Sequence, residues 1–143
     1  FTINAIYLLR DGQLKDFFNG QEDINNRTIR FIKNIENSIQ EDFLRIFRYY
    51  RFLGAFEDPR IIKKYDEIIL RYFDRSFINL SNDLIRQEIL KMFKMSFPLN
   101  SFFNKDNYMK KKYWIELIKK HFVKTGYEIG LNRCLDKIDL LIN

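Results

Sequence analysis

Two spacings of hydrophobic positions divide the chain. Up to about Ile32 the apolar residues come in short runs or alternate, and beyond Asn34 they return every three or four residues. Thr2 to Leu9 (TINAIYLL) is rich in Ile, Tyr and Leu, Arg10-Asp11-Gly12 supplies turn chemistry, and Gln13 to Phe17 forms a second run, so a β-hairpin is expected. Asn19 and Gly20 then break the chain, Glu22 to Arg27 can make a helical turn, and Thr28 to Ile32 alternates as a third short strand would.

In the second part Ile39, Phe43, Ile46, Phe47, Tyr50 and Leu53 define one stripe. The pattern predicts a single long amphipathic helix, capped by Asn34 or Asn37 and running to about Gly54. Pro59 suits the start of a second helix, striped by Ile61, Ile62, Tyr65, Ile68, Ile69 and Tyr72. Ser81 or Asn82 can cap a third, which carries Leu84, Ile85, Ile89, Leu90 and Phe93 and ends before Pro98. Two further helices are expected over 105–124 and 126–142. The fold class read from this order is α+β, mostly α: a short β-rich portion leading into a helical arm.

Composition narrows the functional classes. With 46% hydrophobic residues among 143, there is enough apolar material for one ordinary core. The lone Cys134 offers no disulfide or Cys/His zinc pattern and reads as a small buried hydrophobe. No apolar run approaches the roughly 20 residues of a membrane span and no leader pattern is seen, so a cytoplasmic protein without a membrane partner is expected. The net charge of +6 points toward a polyanionic partner. His121 has no evident nucleophile or metal partner and reads as an exposed polar residue. The chain opens at Phe1 inside what reads as a strand, without an initiating Met, so further sequence upstream is expected.

The chemistry-bearing stretch is Glu41-Asp42-Phe43-Leu44-Arg45-Ile46-Phe47-Arg48-Tyr49-Tyr50-Arg51-Phe52. On a continuous helix Asp42 and Arg45 occupy neighbouring positions of one face, and Arg48 and Arg51 continue the row. A carboxylate beside a guanidinium can read a base edge, the Asp accepting from an exocyclic amino group and the Arg donating to the adjacent ring nitrogen. Cytosine and adenine present that pairing. Uracil and guanine present a carbonyl beside an N–H, leaving both contacts mismatched. Ordinary helix-surface salt bridges would use the same residue types at the same spacing.

The order of motifs separates these readings. Phe1-Thr2-Ile3-Asn4-Ala5 resembles the end of an RRDFTINA strand motif, and Asp16, Gly20, Asp23 and Ile24 resemble the D-P-x-G-G-x-x-D-L segment that follows it. Ile29-Arg30 stands where an LR pair precedes the neck, Glu41 to Phe52 resembles EDPLRMLRAxRF, and Leu80 to Leu90 resembles an SxERIxxEL helix. Five motifs in one order resemble the class II tRNA nucleotidyltransferases, or CCA-adding enzymes, and the bacterial poly(A) polymerases, over about two-thirds of the chain.

That resemblance implies a template-independent RNA nucleotidyltransferase adding CMP or AMP to RNA 3′ ends, with CTP and ATP as substrates and a tRNA 3′ end as the RNA partner. Asp42 and Arg45 inherit the protein-template role, Arg48 and Arg51 contribute to the nucleotide site, and Glu41 orients Arg45 through an i,i+4 pair. Asn4 falls near the nucleotide pocket, where satisfying local backbone is an equal alternative. Asp16, Gly20 and Asp23 match a hinge-like segment, in which Asn19 replaces one of the paired glycines. Phe43 and Tyr49 depart from the family's Pro and Ala, and Tyr49 and Tyr50 read as core aromatics in preference to base-stacking ones.

The implied domains are 1–36, the end of a nucleotidyltransferase head; 37–98, a helical neck that selects nucleotides and binds RNA; and 99–143, part of a helical body. The family's Mg2+ ions sit on paired carboxylates upstream of the RRDFT motif, outside this chain. By itself the chain is therefore expected to lack catalysis, with the head supplied in cis or in trans. Lys110, Lys111 and Lys112, with Lys119, Lys120 and Lys124, are the densest candidates for phosphate contacts. A non-catalytic RNA-binding remnant of a truncated or split gene is the alternative function, and a purely structural helical domain a third.

Overall fold

The computed structural model describes residues 1–102 together with Trp114 and Glu116. The chain divides into two units, Phe1–Ser101 and Phe102–Asn143. Of the second, Trp114 is buried and its ring meets Phe102 edge-on at 5.6 Å. The expected helices over 105–124 and 126–142 lie outside the described residues.

The expected hairpin forms, though it is shorter than the apolar run that announces it. Strand β1 (Ile6–Leu8) pairs antiparallel with β2 (Leu14–Asp16), placing Tyr7 opposite Lys15, and Gly12 takes a positive φ of 83° in the turn. Thr2–Asn4 is a 3-10 turn and not strand, because Ala5 N donates to Thr2 O and Thr2 N donates to Arg30 O. Helix α1 (Gly20–Asn25) follows. Its first turn is held by Asp16, whose carboxylate accepts from Phe18 N, Gly20 N and Gln21 N; these bonds pull its pKa below the ordinary Asp range. A β-carbon at Gly20 would strike the Thr2 carbonyl oxygen, so this close approach admits only glycine.

Thr28 to Ile32 does not make a third strand. Its sole ladder contact is a parallel bridge from Thr28 to Arg60, where Arg60 N donates to Arg27 O at 2.8 Å. The same bridge displaces the next helix: residues after Pro59 stay extended to reach Thr28, and α4 begins only at Lys63, running to Asn79.

The predicted long helix is two helices. Asn34 caps α2 (Ile35–Glu41) by accepting from Glu36 N and Asn37 N. Asp42 is extended (φ −156°, ψ 102°), and α3 (Leu44–Leu53) starts beyond it. The cause is local: the Asp42 carboxylate accepts from Leu44 N at 2.9 Å, competing with helix propagation at that point. Ser81 caps α5 (Asn82–Phe93) by accepting from Leu84 N, and Pro98 opens the short α6 (Pro98–Phe102).

The core lies where α3 meets α5 and α4. Ile46, Phe47, Ile69, Ile85, Ile89 and Met92 are fully buried, each side chain contributing roughly 1.5–3 kcal/mol relative to exposure. Phe47 packs with Phe73 and Phe77 at centroid distances of 6.0 and 6.1 Å. Phe31 sits between Tyr49 and Tyr65 at 6.0 and 5.5 Å, and burial raises the phenol pKa of both tyrosines. Tyr49 and Tyr50 are therefore core residues, as their alternative to base stacking required.

A cationic cleft on the third and fifth helices

Arginines at every third residue of α3 wind slowly around the helix, so Arg45, Arg48 and Arg51 address one side without eclipsing each other. Their side chains differ in exposure: Arg45 and Arg48 are 33% and 40% exposed and Arg51 only 18%. Arg51 is the inward end. Its guanidinium lies over the Phe52 ring at 4.8 Å, and Nη1 is 3.4 Å from Glu88 Oε2, which α5 delivers from the opposite wall.

Glu88 is 2% exposed, and its other oxygen takes a 2.7 Å bond from Lys91 Nζ, one turn further along α5. Arg45, Arg48, Arg51 and Lys91, with Asn4 and Glu88, line a cleft of about 330 Å³ in which Glu88 is the sole carboxylate among the described residues. Arg51 Nε and Glu88 Oε2 are buried there without a hydrogen-bond partner among the described residues. The site is thus preset for an anion. Cations outnumber the single buried carboxylate, and guanidinium donors point at it from fixed helix positions.

Asp42 and Arg45 do not share one continuous helical face, because the chain breaks between them. Asp42 stands at the joint, its Oδ2 3.6 Å from Arg48 Nη1, while Arg45 Nη1 donates to Ser38 O and Glu41 Oε2, both at 2.8 Å. The Arg45 bond, and then the nearby Lys33, hold the Glu41 carboxyl below its ordinary pKa. Arg45 also lines a smaller cavity of about 170 Å³ with Phe31, Ile32 and Glu41, so it separates two hollows.

The residues read as a hinge meet at a tight junction. Buried Asp23 accepts 2.6 Å from Thr2 Oγ1 and 2.7 and 2.8 Å from Arg30 Nε, so three of the short motifs converge on one carboxylate. That bond raises the Arg30 pKa further. Asp16, the last residue of β2, holds Gly20 and Gln21 at the start of α1, as described above.

Glu88 and Lys91 were not singled out from the sequence, although a signal exists: Glu88 interrupts the apolar stripe of Ile85, Ile89 and Met92, with Lys91 three residues on. Lys110, Lys111, Lys112, Lys119, Lys120, Lys124, His121 and Cys134 lie outside the described residues. Among the described residues no group of three or more His, Cys, Asp or Glu converges. No described helix is long and apolar enough to cross a membrane.

Comparison with known proteins returns relatives of one kind. The chain is 51% identical over 57 residues to human "CCA tRNA nucleotidyltransferase 1, mitochondrial", covering 40% of this chain and 13% of that protein. It is 33% identical over 94 residues to the CCA-adding enzyme of Staphylococcus aureus (strain Newman), covering 66% of this chain and 23% of the enzyme. A solved apo form of a CCA-adding enzyme matches 80% of the chain and 25% of its own length at TM-score 0.55 and 25% identity. The chain therefore spans less than a quarter of these two curated relatives. No protein-family model matches.

Proposed function

Because the chain is a relative of the CCA-adding enzymes in both sequence and fold, we propose that it is the nucleotide-selecting and RNA-binding portion of an RNA nucleotidyltransferase that adds CMP and AMP to tRNA 3′ ends. The observation that carries this reading is the cleft itself, in which three arginines of α3 and Lys91 of α5 face one space beside Asp42. Arg48, Arg51 and Lys91 are suited to the triphosphate. Asp42, at the helix joint, supplies the acceptor for the amino group of cytosine or adenine, and Arg45, steadied by Glu41 and Ser38 O, donates to the adjacent ring nitrogen.

The domain reading follows the same line: 1–36 ends a head, 37–98 forms the neck and 99–143 begins a body. Tyr7, Leu8, Leu14 and Phe17 are all more than half exposed on the hairpin, which suits a strand pair that completes a larger sheet. Metal ions and the bond-forming step, in which the RNA 3′-hydroxyl attacks, belong to that head in this reading, and the described residues serve binding and choice of base.

The test is a chimaera in which this chain replaces the matching segment of the Staphylococcus aureus enzyme, assayed for incorporation of each of the four nucleotides onto tRNA. Incorporation of C and A is expected, and Asp42→Ala or Arg45→Ala should broaden or abolish base choice. Unchanged selectivity in both variants would overturn the assignment.

A further inference from the structure

A second basic hollow lies where residues 25–27, at the end of α1, meet residues 58–60, before α4. It has a volume of about 380 Å³ and is lined by Asn25, Asn26, Arg27, Asp58, Pro59 and Arg60. The backbone fixes its two walls: Arg60 N donates to Arg27 O at 2.8 Å, and Thr28 and Arg60 form the parallel bridge. Arg27 takes a left-handed conformation (φ 54°), uncommon for a residue with a β-carbon.

We propose that this groove binds the phosphodiester backbone of RNA through Arg27 and Arg60; the inference rests on the RNA-processing reading above. Charge and composition select the ligand. Arg27 meets Asp58 only at 3.6 Å, with side chains 54% and 75% exposed, a pairing too long and too wet to occupy its guanidinium. Among the described residues Arg60 makes no ion pair and Asp58 is the only carboxylate lining the groove. The amides of Asn25 and Asn26 add neutral donors suited to phosphate or sugar oxygens.

The lining also says what is not recognised. It contains no aromatic ring on which a base could stack, and Pro59 is its sole apolar member. A nucleotide held by its base would find no platform, whereas a backbone needs only phosphate and ribose contacts. The groove therefore contributes affinity without base preference, in contrast to the cleft on α3 and α5.

The experiment measures fluorescence anisotropy of a labelled RNA minihelix with a single-stranded 3′ end, titrated with the full chain between about 50 and 200 mM salt. The double variant R27G/R60Q keeps the backbone conformation at residue 27, and circular dichroism checks its fold. Affinity is expected to fall about tenfold, with the slope of log K against log salt reduced by about one to two. A charge-matched R10Q/K15Q control on the hairpin should leave both unchanged.

Equal weakening in the control, or wild-type affinity and slope in R27G/R60Q, overturns the groove and leaves the RNA-binding reading standing. Absence of RNA binding by the wild-type chain overturns both. If inorganic phosphate binds the wild type and not the variant while RNA affinity is the same for both, the groove is a free-anion site and the RNA proposal fails.

Discussion

The hairpin and the α3–α5 pair are built from similar apolar residues and treat them in opposite ways. On β1 and β2, Leu8 is 72% exposed and Leu14 56%, whereas on α3 and α5 Ile46, Phe47, Ile85 and Ile89 are fully buried. Two three-residue strands present two faces and two edges with nothing described to cover them. The ten- and twelve-residue helices α3 and α5 hide their apolar side chains against each other and, at Phe47, against Phe73 and Phe77 of α4. Among the described residues the helical part thus hides its own apolar side chains, and the strand pair leaves its own exposed.

The largest test of that contrast is a paired truncation. Phe47→Ala should cost about 3–5 kcal/mol in urea unfolding, while Leu8→Ser should stay within about 0.5 kcal/mol. Equal costs would show that the hairpin is covered in solution. Gly20→Ala comes next, at about 1–3 kcal/mol, because its β-carbon meets Thr2 carbonyl oxygen and cannot be accommodated by a flexible side chain. That loss would show that the β-rich part is anchored at the Thr2–Asp23–Arg30 junction even though its hairpin is bare. A smaller effect concerns Asp16, whose folded pKa lies below its unfolded one: its stabilisation is complete above the ordinary Asp range and is lost as pH falls through the lower folded value. Melting curves at descending pH should therefore show a drop that is weakened in Asp16→Asn.

Much of the architecture was legible where local chemistry decides the structure. Asn34 and Ser81 cap the helices expected of them, and Arg10-Asp11-Gly12 turns the hairpin. The failures share a cause, which is competition from contacts that periodicity does not encode. Ile39, Phe43 and Ile46 keep helical spacing straight through Asp42, yet one side-chain bond to Leu44 N divides the helix. Pro59 looks like a helix start, but Arg60 is drawn into a bridge with Thr28, far away in sequence. In the cleft the arginine row was visible as a repeat of three, and Glu88, which holds its buried end, was hidden within an otherwise apolar stripe.

The bond from Arg60 N to Arg27 O has one more consequence. It closes the whole segment bearing α2, the Asp42 joint and the arginine row into a loop whose two ends lie side by side, and closing such a loop carries an entropic cost that its interior packing offsets. Opening that clasp frees both ends at once. The Arg60 amide should therefore exchange its hydrogen at the rate at which the entire segment opens, making a single proton the reporter for the cooperative release of the arginine-bearing helix.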